Sequence, residues 1–561
     1  MSIFVALYND SLFFIPLRLL KSIHEYFFGM KKNTLFFLVT FFLTGSAIYA
    51  QDQSSIKIEP YIAEQKFNKN NYEGALDDYL SLLESDPQNE KYNYNIAVCY
   101  LNTNIDKTKA IPYLEKITSK ASYDPNALYL LGRAYGYAYR FDDALATYNK
   151  FRRLGKGKND NLHDVERQIQ YSLNAKELMK FPVDASFENL GLSVNSPYAD
   201  YYAYVPTDES FIIFNSRRPI EGAEMMKEDG NYPASIFMSK VVDGKYAKAK
   251  NIKSPIPKAA GEQEVIGLTG SGDVMLIYYT NDKGVGDIYS STTDRNQKVL
   301  HADKLGENIN SAKAQEIAAS LNTEGNIIYF ASNREGGFGG TDIYRSQKLP
   351  NGKWGPAQNL GAEINTPYNE DFPNISPDGK TLYFSSNGYT SIGGYDIFKA
   401  NVNPETQQFS NPRNMGYPIN TPMDNYNFRV TSNAQFGYMA ALRPGGRGDL
   451  DIYRIKFNSV EPRYSVVKGN LFTTDSTYKI NYSEVDISVT NSKTNQLVGS
   501  YLPNPISGRY VMVLEPGEYD VNFTLSGFKP INKKVTILDK SSFQSEITDN
   551  ITFTPIMDNP K

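Results

Sequence analysis

Short apolar runs recur along residues 186–457, each bounded by turn residues. The runs SFIIFNS, VMLIYYT, NIIYFAS, TLYFSS and FGYMAAL are rich in β-branched and aromatic side chains, which suit a pleated, half-buried surface. Each is preceded by another strand-like segment, at residues 201–206, 264–269, 316–321, 371–376 and 427–432. Turn chemistry separates the two, most plainly at Ser376-Pro377-Asp378-Gly379 and Thr323-Glu324-Gly325-Asn326. A third strand is predicted to begin at Asp287, Asp342, Asp396 and Asp451, with residues 236–240 as a degenerate version. These aspartates stand in one repeated phrase: SNREGGFGGTDIYRS, SSNGYTSIGGYDIFK, RPGGRGDLDIYRI and the shorter YTNDKGVGDIYSS. They are 55, 54 and 55 residues apart. A constant period of this size, with several strands in each unit, predicts a β-propeller with one small sheet per repeat.

The fourth strand has a phrase of its own. It reads PAQNLGAEIN ending at Asn365 and NPRNMGYPIN ending at Asn420, with weaker copies ending at Asn310 and Pro257. Another copy, SFENLGLSVN ending at Asn195, stands before the first unit, and none follows Phe457. This displacement predicts that residues 186–195 complete the last sheet and so leave no open edge between first and last blades. Five blades are expected, with six as the alternative. The segments SPDGKTLYFSSNG (376–388), ASNREGGFGGTDIY (331–344) and NTEGNIIYFASNR (322–334) resemble TolB-like, WD-repeat-like propeller repeats of bacterial envelope proteins. The first unit departs from the pattern at Arg217-Arg218-Pro219 and in an insertion through Tyr232.

The periodicity changes to helical over residues 56–180. In NALYLLGRAYGYAYRFDDALATYNKF, the residues Leu131, Gly132, Tyr135, Phe141, Ala144, Tyr148 and Phe151 have the spacing of a tetratricopeptide repeat. Two earlier units align through Tyr72, Ala75, Leu76 and Tyr79, and through Ile96, Ala97, Tyr100 and Ala110. Small residues let paired helices approach, and Pro87 and Pro125 close units because proline cannot continue a helix. A polar helix from Asn161 would cap the stack. The resemblance implies a concave groove for a partner protein; the plainer alternative is that these helices only pack on the propeller. Tyr94, Tyr129 and Tyr137 are the groove residues expected to touch a partner, with packing between helices as the other reading of each. Beyond the propeller, residues 463–557 carry SGRYVMVLEPGEYDVNFTLSGFKP, which resembles a carboxypeptidase-regulatory-like, transthyretin-like β-sandwich.

Composition narrows the function classes. A net charge of −4 over 561 residues gives no basic bias towards nucleic acid. The single cysteine, Cys99, forms no intrachain disulfide and lies in an apolar helical run, as a packed core thiol would. From Met30 the sequence MKKNTLFFLVTFFLTGSAIYAQ reads as a signal peptide cut after Ala50, with residues 1–29 as an extension ahead of the true start. No cysteine follows the apolar run, so export to the periplasm without a lipid anchor is expected, with association at the outer membrane. The histidines are His24, His163 and His301, without metal-ligand spacing, and no G-x-S-x-G elbow occurs. Gly336-Gly337-Phe338-Gly339-Gly340 lacks the Lys-Ser/Thr of a phosphate loop and reads as a tight strand connection. The repeated aspartate is expected to cap a turn, since a residue present in every blade does one structural job in each. Glu264, Glu316, Glu370 and Asp371 begin or precede inner strands and are candidates for the mouth of the axial channel, where a cation or basic peptide would bind.

The expected organisation is therefore an extension and signal peptide (1–50), tetratricopeptide repeats (56–180), a β-propeller (183–458) and a β-sandwich (463–557). This order resembles PorE-type envelope proteins associated with type IX secretion and gliding motility. Such proteins carry an OmpA-like domain that holds peptidoglycan; this sequence stops before one, so its expected partners are envelope or outer-membrane proteins rather than peptidoglycan. A non-catalytic scaffold without cofactor or metal is the first expectation, and a ligand- or glycan-binding sensor using the propeller mouth is the alternative.

Overall fold

The computed structural model describes residues 7–8, 11–12 and 59–556, apart from residues 223, 227–229, 254, 257–261, 281–285, 294–298, 404, 432–433, 459–464, 505–507 and 538–545. The expected signal peptide lies outside these residues. The chain divides into two units, Met1–Ile62 and Ala63–Lys561. In the first, Leu7–Tyr8 pairs antiparallel with Ser11–Leu12.

Seven α-helices are described: α1 (Pro60–Asn68), α2 (Tyr72–Ser85), α3 (Glu90–Asn102), α4 (Ile111–Thr118), α5 (Asn126–Tyr137), α6 (Phe141–Leu154) and α7 (Asn159–Leu178). Their ends follow local chemistry. The Asn71 and Asn89 side chains cap α2 and α3 by accepting from the Gly74 and Tyr92 amides. Gly155, at φ 58°, ends α6 in the left-handed conformation that lacks a Cβ penalty. The small residues act as expected: a Cβ on Gly132 would lie 2.4 Å from the Tyr148 ring, so α5 and α6 approach this closely only with glycine there. Cys99 is fully buried, and burial pushes its thiol up to about 12, which keeps it protonated and inert. No described helix is long and apolar enough to cross a membrane.

Five antiparallel sheets follow in sequence order. The first runs Asp200–Tyr204, Phe211–Ser216, Ser235–Val242, with Lys245–Tyr246 and Lys250–Asn251 both on the outer side of the third strand. The second is Gln263–Leu268, Val274–Thr280, Gly286–Thr293, Val299–Lys304; the third is Glu316–Leu321, Ile327–Ser332, Asp342–Gln347, Gln358–Asn359. The fourth is Glu370–Ile375, Thr381–Ser386, Asp396–Val402, Phe409–Asn414. The fifth takes Arg429–Val430, Phe436–Ala441 and Asp451–Phe457 from its own repeat and its outer strand, Ala185–Asn189, from ahead of the first sheet.

Apolar cores lie between successive sheets. Phe211 and Met238 of the first meet Val265 and Ile277 of the second; Leu276 meets Phe330; Tyr329 meets Phe384; Ile397 meets Phe428 and Met439. Phe214 and Ile212 of the first sheet then meet Tyr438 and Ile452 of the fifth, which closes the series into a ring.

The two repeated phrases make one device. Asn359, Asn414 and Asn189 each donate to the repeated aspartate beside them (Asp342, Asp396, Asp451) at 2.7 Å, and Lys304 does so to Asp287 at 2.7 Å. The phrase then leaves the sheet in a turn, and its terminal asparagine reaches back. Asn365 accepts from the Ile343 amide at 2.8 Å and donates to the Ile343 carbonyl at 2.9 Å; Asn310 and Asn420 treat Ile288 and Ile397 alike. Asn195 makes the same pair with Ile452, at 2.9 and 3.0 Å. The aspartate also caps the preceding glycine-rich turn, with Asp342 accepting from the Phe338 and Gly339 amides at 2.6 and 3.0 Å.

One predicted strand is shortened. Of residues 427–432, only Arg429–Val430 is strand. Asn427 has φ 53°, and the equivalent Tyr202 and Phe372 have φ 50° and 48°. In the first and fourth sheets this conformation makes a bulge between paired segments; in the fifth it ends the pairing. Beyond the ring, residues 465–553 form two sheets over one core that includes Val467, Ile487, Tyr510, Val521, Phe523 and Phe553.

Candidate functional site

The acids proposed for a channel mouth divide by position. Glu370 is fully buried and accepts from the Thr366 amide at 2.6 Å, the Thr366 hydroxyl at 2.7 Å and the Ser386 hydroxyl at 2.7 Å. Glu316 is also fully buried, bonded to Ser332 at 2.8 Å and paired with Arg334 at 3.1 Å. Asp200 repeats this arrangement with Ser196 and Arg218. These groups fasten the entry to an inner strand onto the second strand, so Glu316 and Glu370 do not line a mouth. Burial explains why they are paired: an isolated carboxylate there would be costly.

The centre of the ring is filled by aromatic rings. Tyr202 of the first sheet and Phe372 of the fourth lie 4.7 Å apart between centroids, and Phe372 lies 5.3 Å from Tyr426, which leads into the fifth. Two of the three left-handed residues, Tyr202 and Phe372, thus meet across the ring, and Tyr426, the neighbour of the third, joins them. Asp371, 2% exposed, accepts from the Phe372 amide at 2.7 Å, and burial pushes its carboxyl up to about 7. Glu264, half-buried, accepts from the Tyr201 hydroxyl, and burial raises it above the usual carboxylate range.

The helices lie against this centre. Arg167 and Tyr171 of α7 both donate to the Asn387 carbonyl at 2.6 Å, Asn174 donates to the Ser391 carbonyl at 2.9 Å, and the Arg167 guanidinium stands 3.8 Å from the Tyr368 ring centroid. Tyr139, after α5, stacks edge-on with Tyr417 at 6.2 Å.

Between helices and ring is a cavity of 370 Å³. Lys107, Arg133 and Tyr137 wall it on one side, and Tyr201, Tyr202, Asp424, Tyr426 and Arg443 on the other. Lys107 opens the 3₁₀ turn after α3 and donates to the Leu101 and Thr103 carbonyls at 2.9 and 2.7 Å. Burial, then the nearby Arg133 charge, brings its ammonium down to about 8. Arg133 and Tyr137 lie one turn apart on α5, with the guanidinium donating to the Tyr137 hydroxyl at 3.1 Å. Asp424 accepts from the Tyr395 amide at 2.9 Å. A second cavity, of 420 Å³, lies between the turns of the third and fourth sheets and the terminal sheets; Glu324, Asp378, Lys380 and Glu515 line it, and Lys380 pairs with Glu515 at 3.0 Å.

The three tyrosines expected at a partner groove are separated. Tyr129 is 6% exposed, donates to Asp164 at 2.6 Å and packs on Tyr148 and Phe151; it is interior to the helices and not a surface contact. Tyr94 is half-buried on α3, where burial and then Asp124 push its hydroxyl up to about 12. Tyr137 lines the cavity and faces the ring. Sequence reasoning missed Lys107, Arg133, Tyr202 and Tyr426. They come from four separate elements, and only the left-handed position shared by Tyr202 and Phe372 follows the repeat. Among the described residues no cluster of His, Cys, Asp and Glu is arranged to hold a metal.

No family model matches the chain, and no curated protein matches it. Solved structures similar to it include TolB from Acinetobacter baumannii, at 14% identity over 54% of this chain and 71% of that one, TM-score 0.31. A putative TolB from Agrobacterium tumefaciens has 16% identity over 50% and 99%, TM-score 0.25. The periplasmic gluconolactonase of Pseudomonas aeruginosa has 11% identity over 58% and 88%, TM-score 0.27. At such scores these likenesses carry no argument about activity or ligand.

Proposed function

We propose that this protein is a non-catalytic scaffold of the cell envelope, exported to the periplasm and working beside outer-membrane or secretion components of the type IX and gliding kind. In this reading the five sheets are the blades of a closed propeller, α1–α7 are tetratricopeptide repeats with a capping helix, and the terminal sheets are a carboxypeptidase-regulatory-like sandwich. The observation that carries it is that both flanking modules are fastened to the ring. The helices are held through Arg167, Tyr171 and Asn174. The terminal sheets are held by Arg509 and Lys468 on the buried Asp208 and by Lys380 on Glu515. A frame built this way presents fixed surfaces, which suits joining other proteins. Because Tyr129 is interior and Tyr137 faces the ring, the partner surface on the helices is the side turned away from the sheets.

Pull-downs from envelope extract test this, comparing residues 51–180, residues 183–561 and the whole chain. A partner held by the whole chain and by the helical fragment is expected. Retention by the second fragment alone would reduce the helices to a support.

The ligand-binding reading stands second, favoured by one observation: a preformed cavity between the helices and the ring, of a size at which small molecules are commonly bound.

A further inference from the structure

This inference rests on the ligand-binding reading and names the ligand class. Lys107, Arg133 and Arg443 face the cavity, against one carboxylate among its lining residues, Asp424. Among the described residues neither Lys107 nor Arg133 lies within ion-pair distance of a carboxylate. The Lys107 ammonium is held by two carbonyls and stands 5.6 Å from the Tyr137 ring centroid, and Arg133 has one hydrogen bond, to a phenol. Desolvating two cations side by side is unfavourable unless an anion compensates them. A planar guanidinium beside an ammonium matches a carboxylate, which accepts two parallel bonds from the first and a point charge from the second.

The remaining walls suit a polyhydroxylated ring. Tyr201, Tyr202 and Tyr426 offer aromatic surface, while the exposed Asn102 and Asn104 offer donors and acceptors at the edges. Asp424 adds an acceptor for a hydroxyl.

We propose that this cavity binds an acidic sugar of the uronic-acid class, its carboxylate taken by Arg133 and Lys107 and its ring laid against Tyr202 and Tyr426.

The test is titration calorimetry of the whole chain with D-glucuronate and D-galacturonate, against D-glucose, D-galactose, acetate and inorganic phosphate at fixed ionic strength. Expected is at least tenfold tighter binding of one uronate than of its neutral parent and of acetate. Arg133→Gln is expected to remove that preference without moving the melting temperature. Lys107 supports the end of α3, so its part is read from the unmodified protein. With Arg133 and Tyr137 facing it from α5, and Asp424 and Asp449 from the loops before the first and third strands of the fifth sheet, uronate affinity should fall between pH 7 and 9 as Lys107 loses its proton. Equal binding of uronate and neutral sugar would overturn the inference and leave the ligand-binding reading intact. Acetate or phosphate bound as tightly as uronate would overturn the sugar part. No binding of any probe at millimolar concentration would sink both.

Discussion

At the scale of single residues, buried acids decide more than their number suggests. Glu316 and Glu370 are compensated by serine, threonine and arginine partners, whereas Asp371 has one backbone amide. Its carboxyl titrates near 7 in the fold, against about 4 in an unfolded chain. The native state therefore holds a proton across this window that the unfolded state has released. Stability from this group is full below about pH 4, declines as pH rises, and is lost above about pH 7. Asp371→Asn, which resembles the protonated form, should leave the melting temperature almost unchanged at pH 4. At pH 8 it should raise stability by roughly 1–3 kcal/mol. Thermal melts of both proteins across that range check it; a variant less stable than the parent at pH 8 would show that the charged carboxylate has a partner in the fold.

At the scale of elements, ring closure depends on a strand far from its partners in sequence. Ala185–Asn189 pairs with Asp451–Phe457, and the side chains of Asn189 and Asn195 repeat on the fifth sheet what Asn359 and Asn365 do within the third. Gly448 adds a packing constraint: a Cβ there would lie 2.4 Å from the Pro197 backbone carbon, as one on Gly393 would from the Pro422 carbonyl oxygen. Asn195→Ala leaves the buried Ile452 amide and carbonyl without their side-chain partner, and a loss of roughly 1–3 kcal/mol is expected in denaturant titration. Deleting residues 183–195 removes the whole outer strand and exposes a sheet edge, so aggregation or a large fall in melting temperature is expected. A deletion variant as stable as the parent would mean that the ring does not depend on this strand.

At the scale of the whole molecule, α7 bonds the helices to the loop that follows the second strand of the fourth sheet. Arg167 and Tyr171 converge on a single carbonyl, that of Asn387, and Arg167 also covers the Tyr368 ring. Replacing both, as Arg167→Ala with Tyr171→Phe, removes two hydrogen bonds and a cation–π contact, together roughly 2–4 kcal/mol at a partly buried site. Limited proteolysis should then cut the connection at residues 179–184 faster, releasing an intact helical fragment and an intact sheet-bearing fragment. An unchanged cutting rate would place the fastening elsewhere, at Tyr139 and Tyr417 or at Lys107 and the residues around it.

The repeat made much of this legible. The period, the turn residues and the displaced copy of the fourth-strand phrase are local or near-local signals, and each asks for the strand pairing observed at Asp342, Asp396 and Asp451. The helical units were legible for the same reason: Gly132 and Tyr148 sit at the spacing that lets two helices touch. What the sequence did not reveal is non-local and outside the repeat. An acid at the start of an inner strand reads equally as rim or as core, and only packing placed Glu316 and Glu370 inside. A tyrosine on a repeat helix reads equally as contact or as filler, and only the packing of α6 and α7 placed Tyr129 in the interior. Lys107 and Arg133 are separated from Tyr426 by some three hundred residues, with no shared periodicity. Sequence alone settled the order of the strands and the pairing of the displaced one, because those follow from patterns each segment carries; the tertiary structure settled where the left-handed Asn427 cuts a strand short and which side chains face one cavity, because both depend on how separate segments meet.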